Sequence, residues 1–300
     1  MKLYPIFIVF TLLVVSCKET PKKVVEETKA AKIVKKLPVE VDTSTMVYFE
    51  GGNIEIGSVT GLPNEQPVFN KQINSFYLDK NLVTVAEFRK FIESTSYTTE
   101  ADKFGDSGVF LFETNNWTLL KGANWEFPLG PDQEKAKDNH PVTQVSFNDA
   151  KAYAKWVGKR LPTEFEWEFA AKNGVNSTNA YAWGNNLIVN GKYMANVWQG
   201  ATIDDNTVLD GYLLTSPVGT FGETKMGLND MAGNVWQWCD SYYKPYPENM
   251  NAAPVNSSVR TTRGGSFMYD QALEKGYTTT FRGQNSIDTS LFNMGFRCAK

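Results

Sequence analysis

The chain has 300 residues, 42% of them hydrophobic and 21% charged, which allows one large or two small globular domains and excludes a collagen-like, coiled-coil or wholly disordered protein. A net charge of −3 supplies no basic field for phosphates and argues against a nucleic-acid partner. The single histidine, His140, excludes any iron or zinc centre that needs two imidazoles from one chain.

After Met1-Lys2 an apolar run from Leu3 to Val15 leads to Ser16-Cys17. The run is shorter than the ~20 residues that span a bilayer. Its positive start and the small residue before a cleavage point predict an export signal over residues 1–16. The segment resembles a bacterial lipoprotein signal, which implies that Cys17 becomes the lipidated first residue. The mature protein would then be held by that lipid to a membrane of the cell envelope, facing the periplasm or the exterior. An ordinary signal peptide followed by an incidental cysteine is the alternative. From Lys18 to Asp42 the sequence is rich in Lys, Glu, Val and Ala and has no aromatic residue, so it cannot bury enough surface to order itself. Residues 17–45 therefore read as the lipidated cysteine and a charged tether, with a short amphipathic helix as the other reading.

Residues 46–300 read as one domain, without an internal repeat or a second linker. Val47, Phe49, Ile54 and Ile56 alternate with other residues around Gly51-Gly52, which predicts two strands joined by a glycine turn. Three helix starts follow, each a hydroxyl cap with an acid three residues on: Thr84 with Glu87, Ser146 with Asp149, and Thr163 with Glu166. The first two lead into Phe88/Phe91/Ile92 and Ala150/Tyr153/Ala154/Val157 at helical spacing. The third predicts a helix from Glu164 to about Lys172, stopped before Gly174. His140, flanked by Pro141 and Val142 ahead of a helix cap, reads as a hydrogen-bonding strut. From Tyr181 onward short strands and turns rich in Gly, Asn and Asp replace helical periodicity.

Several longer motifs occur in one order along this domain. They include Lys103-Phe104-Gly105-Asp106-Ser107, Lys121-Gly122-Ala123-Asn124-Trp125, His140-Pro141-Val142, and Arg160-Leu161-Pro162-Thr163-Glu164. Further on come Ala195-Asn196-Val197-Trp198-Gln199-Gly200, the run from Gly227 to Trp236, Arg263-Gly264-Gly265-Ser266 and Gly295-Phe296-Arg297. With these the sequence resembles the sulfatase-modifying-factor family and looks like a formylglycine-generating enzyme. The resemblance implies a single compact α+β domain with little regular secondary structure, distantly similar to C-type lectin domains. It also implies an activity, the oxidation of a cysteine in an extended sulfatase segment to formylglycine by copper, oxygen and a pair of active-site cysteines.

That pair stands at the third and eighth positions after the serine of the family's Gly-Gly-Ser motif, which are Tyr269 and Glu274 in this sequence. No gap separates the two patterns between Gly264 and Cys298, so no shift recovers the thiols. Copper(I) is soft and prefers sulfur, so copper is not expected to bind and the family reaction is not expected to run. The cysteines that pair elsewhere in the family correspond to Ala154, Ala171 and Thr279. Cys298 is left with Cys239 as its only candidate partner, or both are free and buried.

The resemblance also implies calcium as a cofactor. A first site would take Asn196, the carbonyl of Val197, Asp210 and the carbonyl of Tyr212, an all-oxygen set with one carboxylate. A second would take Asp230, the carbonyls of Gly233 and Val235, and Gln237 where the family has Glu. Trp236, Ser266, Arg282 and Asn293 match positions near the family's peptide groove. For the arginines and tryptophans of this region, Arg297 and Trp238 included, pairing with acids and burial in the core are the structural alternatives. Three functions follow: an accessory that binds or matures another exported protein, an enzyme of altered oxidative chemistry or substrate, or a scaffold in a gliding or secretion-type envelope complex.

Overall fold

The computed structural model describes residues 41–200, 205–246, 256–268 and 276–300. They lie within one compact unit, Val39–Lys300. Cys17, with the predicted leader and most of the tether, and the two positions Tyr269 and Glu274 lie outside the described residues.

Strands β1 (Met46–Phe49) and β2 (Gly52–Ile56) form where the alternating sequence predicts them. They do not pair with each other. β1 pairs antiparallel with β4 (Phe76–Asp79), and β2 with β3 (Phe69–Ile73). Gly51 and Gly52, with φ of 84° and 139°, kink one long strand instead of reversing it. A β-carbon at Gly51 would overlap the Ile73 carbonyl on the facing strand, so only glycine lets the ribbon stay closed at the kink. Glycine inside an alternating run marks a kink as readily as a turn, and only the pairing of distant strands decides which.

All three predicted caps begin helices with reciprocal hydroxyl–acid bonding: α1 (Val85–Thr95) at Thr84, and α3 (Phe147–Trp156) and α4 (Glu164–Ala171) at Ser146 and Thr163. Between them lie α2 (Glu100–Phe104), capped by Thr99, and the hairpin of β5 (Asp106–Leu111) with β6 (Asn116–Lys121). α2 spans only five residues, too few to show the apolar periodicity that exposes a helix in a sequence.

Among the described residues no α-helix follows Ala171. After the two-residue pair β7 (Ile188–Val189) and β8 (Lys192–Tyr193), the chain builds a four-stranded sheet. Its members are β9 (Trp236–Tyr242), β10 (Val259–Arg263), β11 (Arg282–Ser286) and β12 (Met294–Gly295), in the order β11-β10-β9-β12. β12 runs parallel to β9 and the other neighbours are antiparallel.

Two large apolar clusters flank this sheet. One joins α1 and α3 to it through Phe88, Phe91, Tyr153, Trp238 and Phe296, and the other joins α4 to β2–β4 through Trp167, Phe169, Ile54 and Phe76. The C-terminus closes the structure, with reciprocal backbone bonds between Lys300 and Tyr77 and between Ala299 and Arg160. Trp238 is fully buried and donates its indole N–H to the Val145 carbonyl, so it is core, as its structural reading requires.

Candidate functional site

Three of the predicted groove residues converge. Asn293 immediately precedes β12 and Trp236 opens β9, and the Trp236 amide donates to the Asn293 carbonyl at 2.9 Å. The Gly264-Gly265 turn after β10 delivers Ser266, whose hydroxyl oxygen accepts from Asn293 Nδ2 at 3.0 Å. Gly265 has φ +67°, and a β-carbon there would overlap the Gly276 carbonyl oxygen, so this delivery needs glycine. Asn293 Nδ2 also lies 3.4 Å from Met268 Sδ, while Asn293 Oδ1 is buried without a hydrogen-bond partner. The trio is buried and holds an unused acceptor beside an indole that packs on Phe281.

Arg282 does not join them. It pairs with Glu164 through two nitrogens, donates to the carbonyls of Asn64 and Lys244, and lies 3.7 Å from the Tyr246 ring centroid. Arg263 reaches Glu164 at 2.9 Å and Glu168 at 2.7 Å, and Lys172 Nζ lies 2.8 Å from the other Glu168 oxygen. Burial works to raise the Glu164 carboxyl pKa, but Arg263 and Arg282 outweigh it and hold the group below its ordinary range. For Arg282 the structural alternative, pairing with an acid, therefore describes its contacts. Glu164 and Glu168 sit one turn apart in a helix otherwise rich in apolar residues, a signal of buried acids awaiting cations.

Among the described residues no cysteine thiol replaces the missing pair. Cys239 and Cys298 are both free and fully buried, and burial pushes both thiols well above their ordinary pKa. They sit in different apolar clusters, Cys239 beside α4 and Cys298 beside α1 and α3.

The first calcium set is brought together. Asn196 is 1% exposed; its Nδ2 donates to the Leu214 carbonyl at 2.7 Å and its Oδ1 has no partner. Asp210 accepts from the Val197 amide at 3.0 Å and the Tyr212 amide at 2.9 Å, which folds the Asp210 turn back onto the Asn196-Val197 segment. Burial raises the Asp210 carboxyl pKa against these hydrogen bonds. An orphaned amide oxygen and a partly desolvated carboxylate are donors that suit a hard cation, so the side chains of Asn196 and Asp210 are compatible with calcium. The Val197 carbonyl already accepts from the Gln199 side-chain amide. Gly233 packs against this segment, and a β-carbon there would overlap the Asn196 carbonyl.

The second set does not fit. Gln237 Oε1 accepts from Trp167 Nε1 and Arg297 Nε, both at 2.8 Å, and its Nε2 donates to the Asp230 carbonyl. Neither end of the amide is free for a metal. Arg297 further donates to the carbonyls of Asn229 and Asp230, placing a guanidinium where a second cation would add repulsion. Asp230 itself accepts from the Gly219 amide at 2.7 Å, and burial raises its pKa. Arg297 makes no ion pair with an acid among the described residues; burial lowers its pKa to about 10 and five oxygen acceptors hold it. The carbonyls of Gly233 and Val235 remain near Asp230 in sequence without a set to complete. Among the described residues there is no group of three or more His, Cys, Asp or Glu side chains arranged to hold a metal.

His140 acts as the expected strut: its Nδ1 is 2.9 Å from Thr215 Oγ1, and its carbonyl accepts from Val85 at the start of α1.

Residues 30–300 match the family described as sulfatase-modifying factor enzyme 1-like domain. The formylglycine-generating enzyme of Streptomyces coelicolor is 37% identical over 281 residues, covering 86% of this chain and 89% of that one. An inactive C-alpha-formylglycine-generating enzyme 2 from Bos taurus is also 37% identical, over 276 residues, with 86% and 88% covered. The structure of PvdO from Pseudomonas aeruginosa superposes with a TM-score of 0.61 at 22% identity, covering 85% of this chain and 93% of that one, which shows a common fold.

Proposed function

The chain belongs to the family of sulfatase-modifying factor enzyme 1-like domains, and we propose that it works there as a binding or maturation accessory for another exported protein, without copper-dependent cysteine oxidation. The observation that carries this reading is the occupation of both thiol positions by Tyr269 and Glu274. A phenol and a carboxylate are hard donors and make a poor site for copper(I). The two cysteines among the described residues are no substitute, being buried, held protonated and set in separate parts of the core. A relative with 37% identity bears the name of an inactive enzyme of the same kind.

What is kept suits recognition. Trp236, Ser266 and Asn293 keep a buried polar and aromatic cluster with one unused acceptor, the base on which a groove for an extended segment of the partner would rest. Calcium on Asn196 and Asp210, with the Val197 and Tyr212 carbonyls, would pin the loop beside that cluster. The Leu3–Val15 run and Cys17 support attachment to the envelope membrane through lipid. Among the described residues no helix is long and apolar enough to cross a membrane.

The test is mass spectrometry of a cysteine-containing sulfatase-type peptide after incubation with oxygen and protein exposed to copper(I). The peptide is expected to keep its sulfur. Appearance of the aldehyde product, lost on substitution of Cys239 or Cys298, would restore the enzyme reading.

A further inference from the structure

Behind the wall that carries Ser266 and Asn293 lies a cavity of about 150 Å³. The chain neighbours of those two residues, Phe267 and Phe292, form its floor, packed edge to face with centroids 5.4 Å apart. Leu129, Pro128 and Leu214 complete an apolar chamber. The facing loop is fixed in place: Asn124 Oδ1 accepts from the amides of Glu126 and Phe127, and Gln144 donates to the Pro128 carbonyl at 2.7 Å. A chamber so braced is a preformed pocket, not a gap that collapses.

Its mouth is polar and carries both signs of charge. Glu134 and Lys137 line it three residues apart, and neither has an ion-pair partner among the described residues. The other charges at this rim cancel, because Lys135 pairs with Glu126 at 2.8 Å. His140 and Thr215 stand at the same mouth, bonded to each other through Nδ1, which leaves the imidazole Nε2 uncommitted. An unpaired carboxylate and an unpaired ammonium above an apolar chamber complement a ligand that bears both opposite charges at one end and an apolar group at the other.

The geometry points to a binding site for a free apolar α-amino acid, its side chain against Phe267 and Phe292, its ammonium toward Glu134 and its carboxylate toward Lys137. Occupancy would bear on the reverse side of the wall that holds Ser266 and Asn293, so the pocket is placed to couple to the groove without sharing a residue with it.

The single histidine makes the test clean, since the full-length protein has one imidazole Cε1–H signal by NMR. L-phenylalanine is expected to shift that signal saturably. Two truncated probes should bind more weakly: 3-phenylpropionate, which lacks the ammonium, and 2-phenylethylamine, which lacks the carboxylate. Glu134→Gln and Lys137→Gln alter exposed side chains and should each weaken L-phenylalanine by up to about fivefold, as exposed charge pairs do. Leu129→Trp, which fills the chamber, should abolish the shift. No saturable shift with L-phenylalanine overturns the assignment. So does equal binding of either truncated probe, or unchanged binding by the Leu129→Trp protein.

Discussion

Glu164 and Arg282, 118 residues apart in sequence, meet in the interior, with Arg282 Nη2 3.1 Å from Glu164 Oε2 and its Nε on Oε1. The same carboxylate also accepts from Arg263, Tyr246 and Thr261. Removing its charge leaves Arg263, Arg282 and the neighbouring Lys172 buried with a single acid, Glu168, which contacts only Arg263 and Lys172 among them. Glu164→Gln should therefore destabilise the fold by about 3–5 kcal/mol in denaturant unfolding at neutral pH. A loss below about 1 kcal/mol would mean that the network is not held together by charge. The Glu164 pKa is depressed in the folded state, so its contribution is present above the unfolded value near 4.5 and fades as pH falls through the lower folded value.

This pair also marks where sequence reading stops. The caps at Thr84, Ser146 and Thr163 are legible because cap and acid lie three residues apart and meet whatever the rest of the chain does. The Gly51-Gly52 kink is misread as a turn because its outcome depends on strands β3 and β4. Likewise, Arg282 matches a groove position in sequence, yet its guanidinium is taken by Glu164 of α4. Family resemblance transfers positions well and contacts less well. Asn196 keeps an unpartnered oxygen near the Asp210 turn, whereas the amide of Gln237 is taken up by Trp167, Arg297 and the Asp230 carbonyl.

The first calcium set makes a prediction that separates it from a merely capped turn. An ion bound only by the folded state stabilises it by about 2.7 kcal/mol at a hundredfold excess over Kd, so chelation should lower the melting temperature. Asp210→Asn should remove that sensitivity. Because the Asp210 pKa is raised in the fold, protons stabilise the metal-free protein as pH falls toward that value. Protons and calcium then compete, and the melting-temperature gain from calcium should shrink on mild acidification. Identical melting curves for calcium-saturated protein and for chelator-treated protein shown to have lost its metal would rule out the site.

Attachment through Cys17 is tested in cells. The wild-type protein should take up a fatty-acid label and fractionate with membranes, because acyl chain buried in the bilayer holds it there. Cys17→Ala should lose the label and accumulate with its leader uncleaved. Normal processing and membrane retention in that variant would leave the leader as an ordinary export signal.

If only the thiols have been lost, restoring them should restore the metal. Trp236, Ser266 and Asn293 still assemble as described, and the segment that would carry the pair begins directly after Met268. Copper(I) takes two thiolates readily, and one thiolate holds it far less well. The Tyr269→Cys, Glu274→Cys double variant should therefore compete for copper(I) against a chromophoric chelator, while the wild-type protein should not and each single variant should do so weakly. Wild-type protein that binds copper(I) as well as the double variant would show that soft-metal chemistry survives on other residues. A double variant that binds no copper(I) would show that the change reaches beyond the two exchanged side chains into the backbone that once placed them.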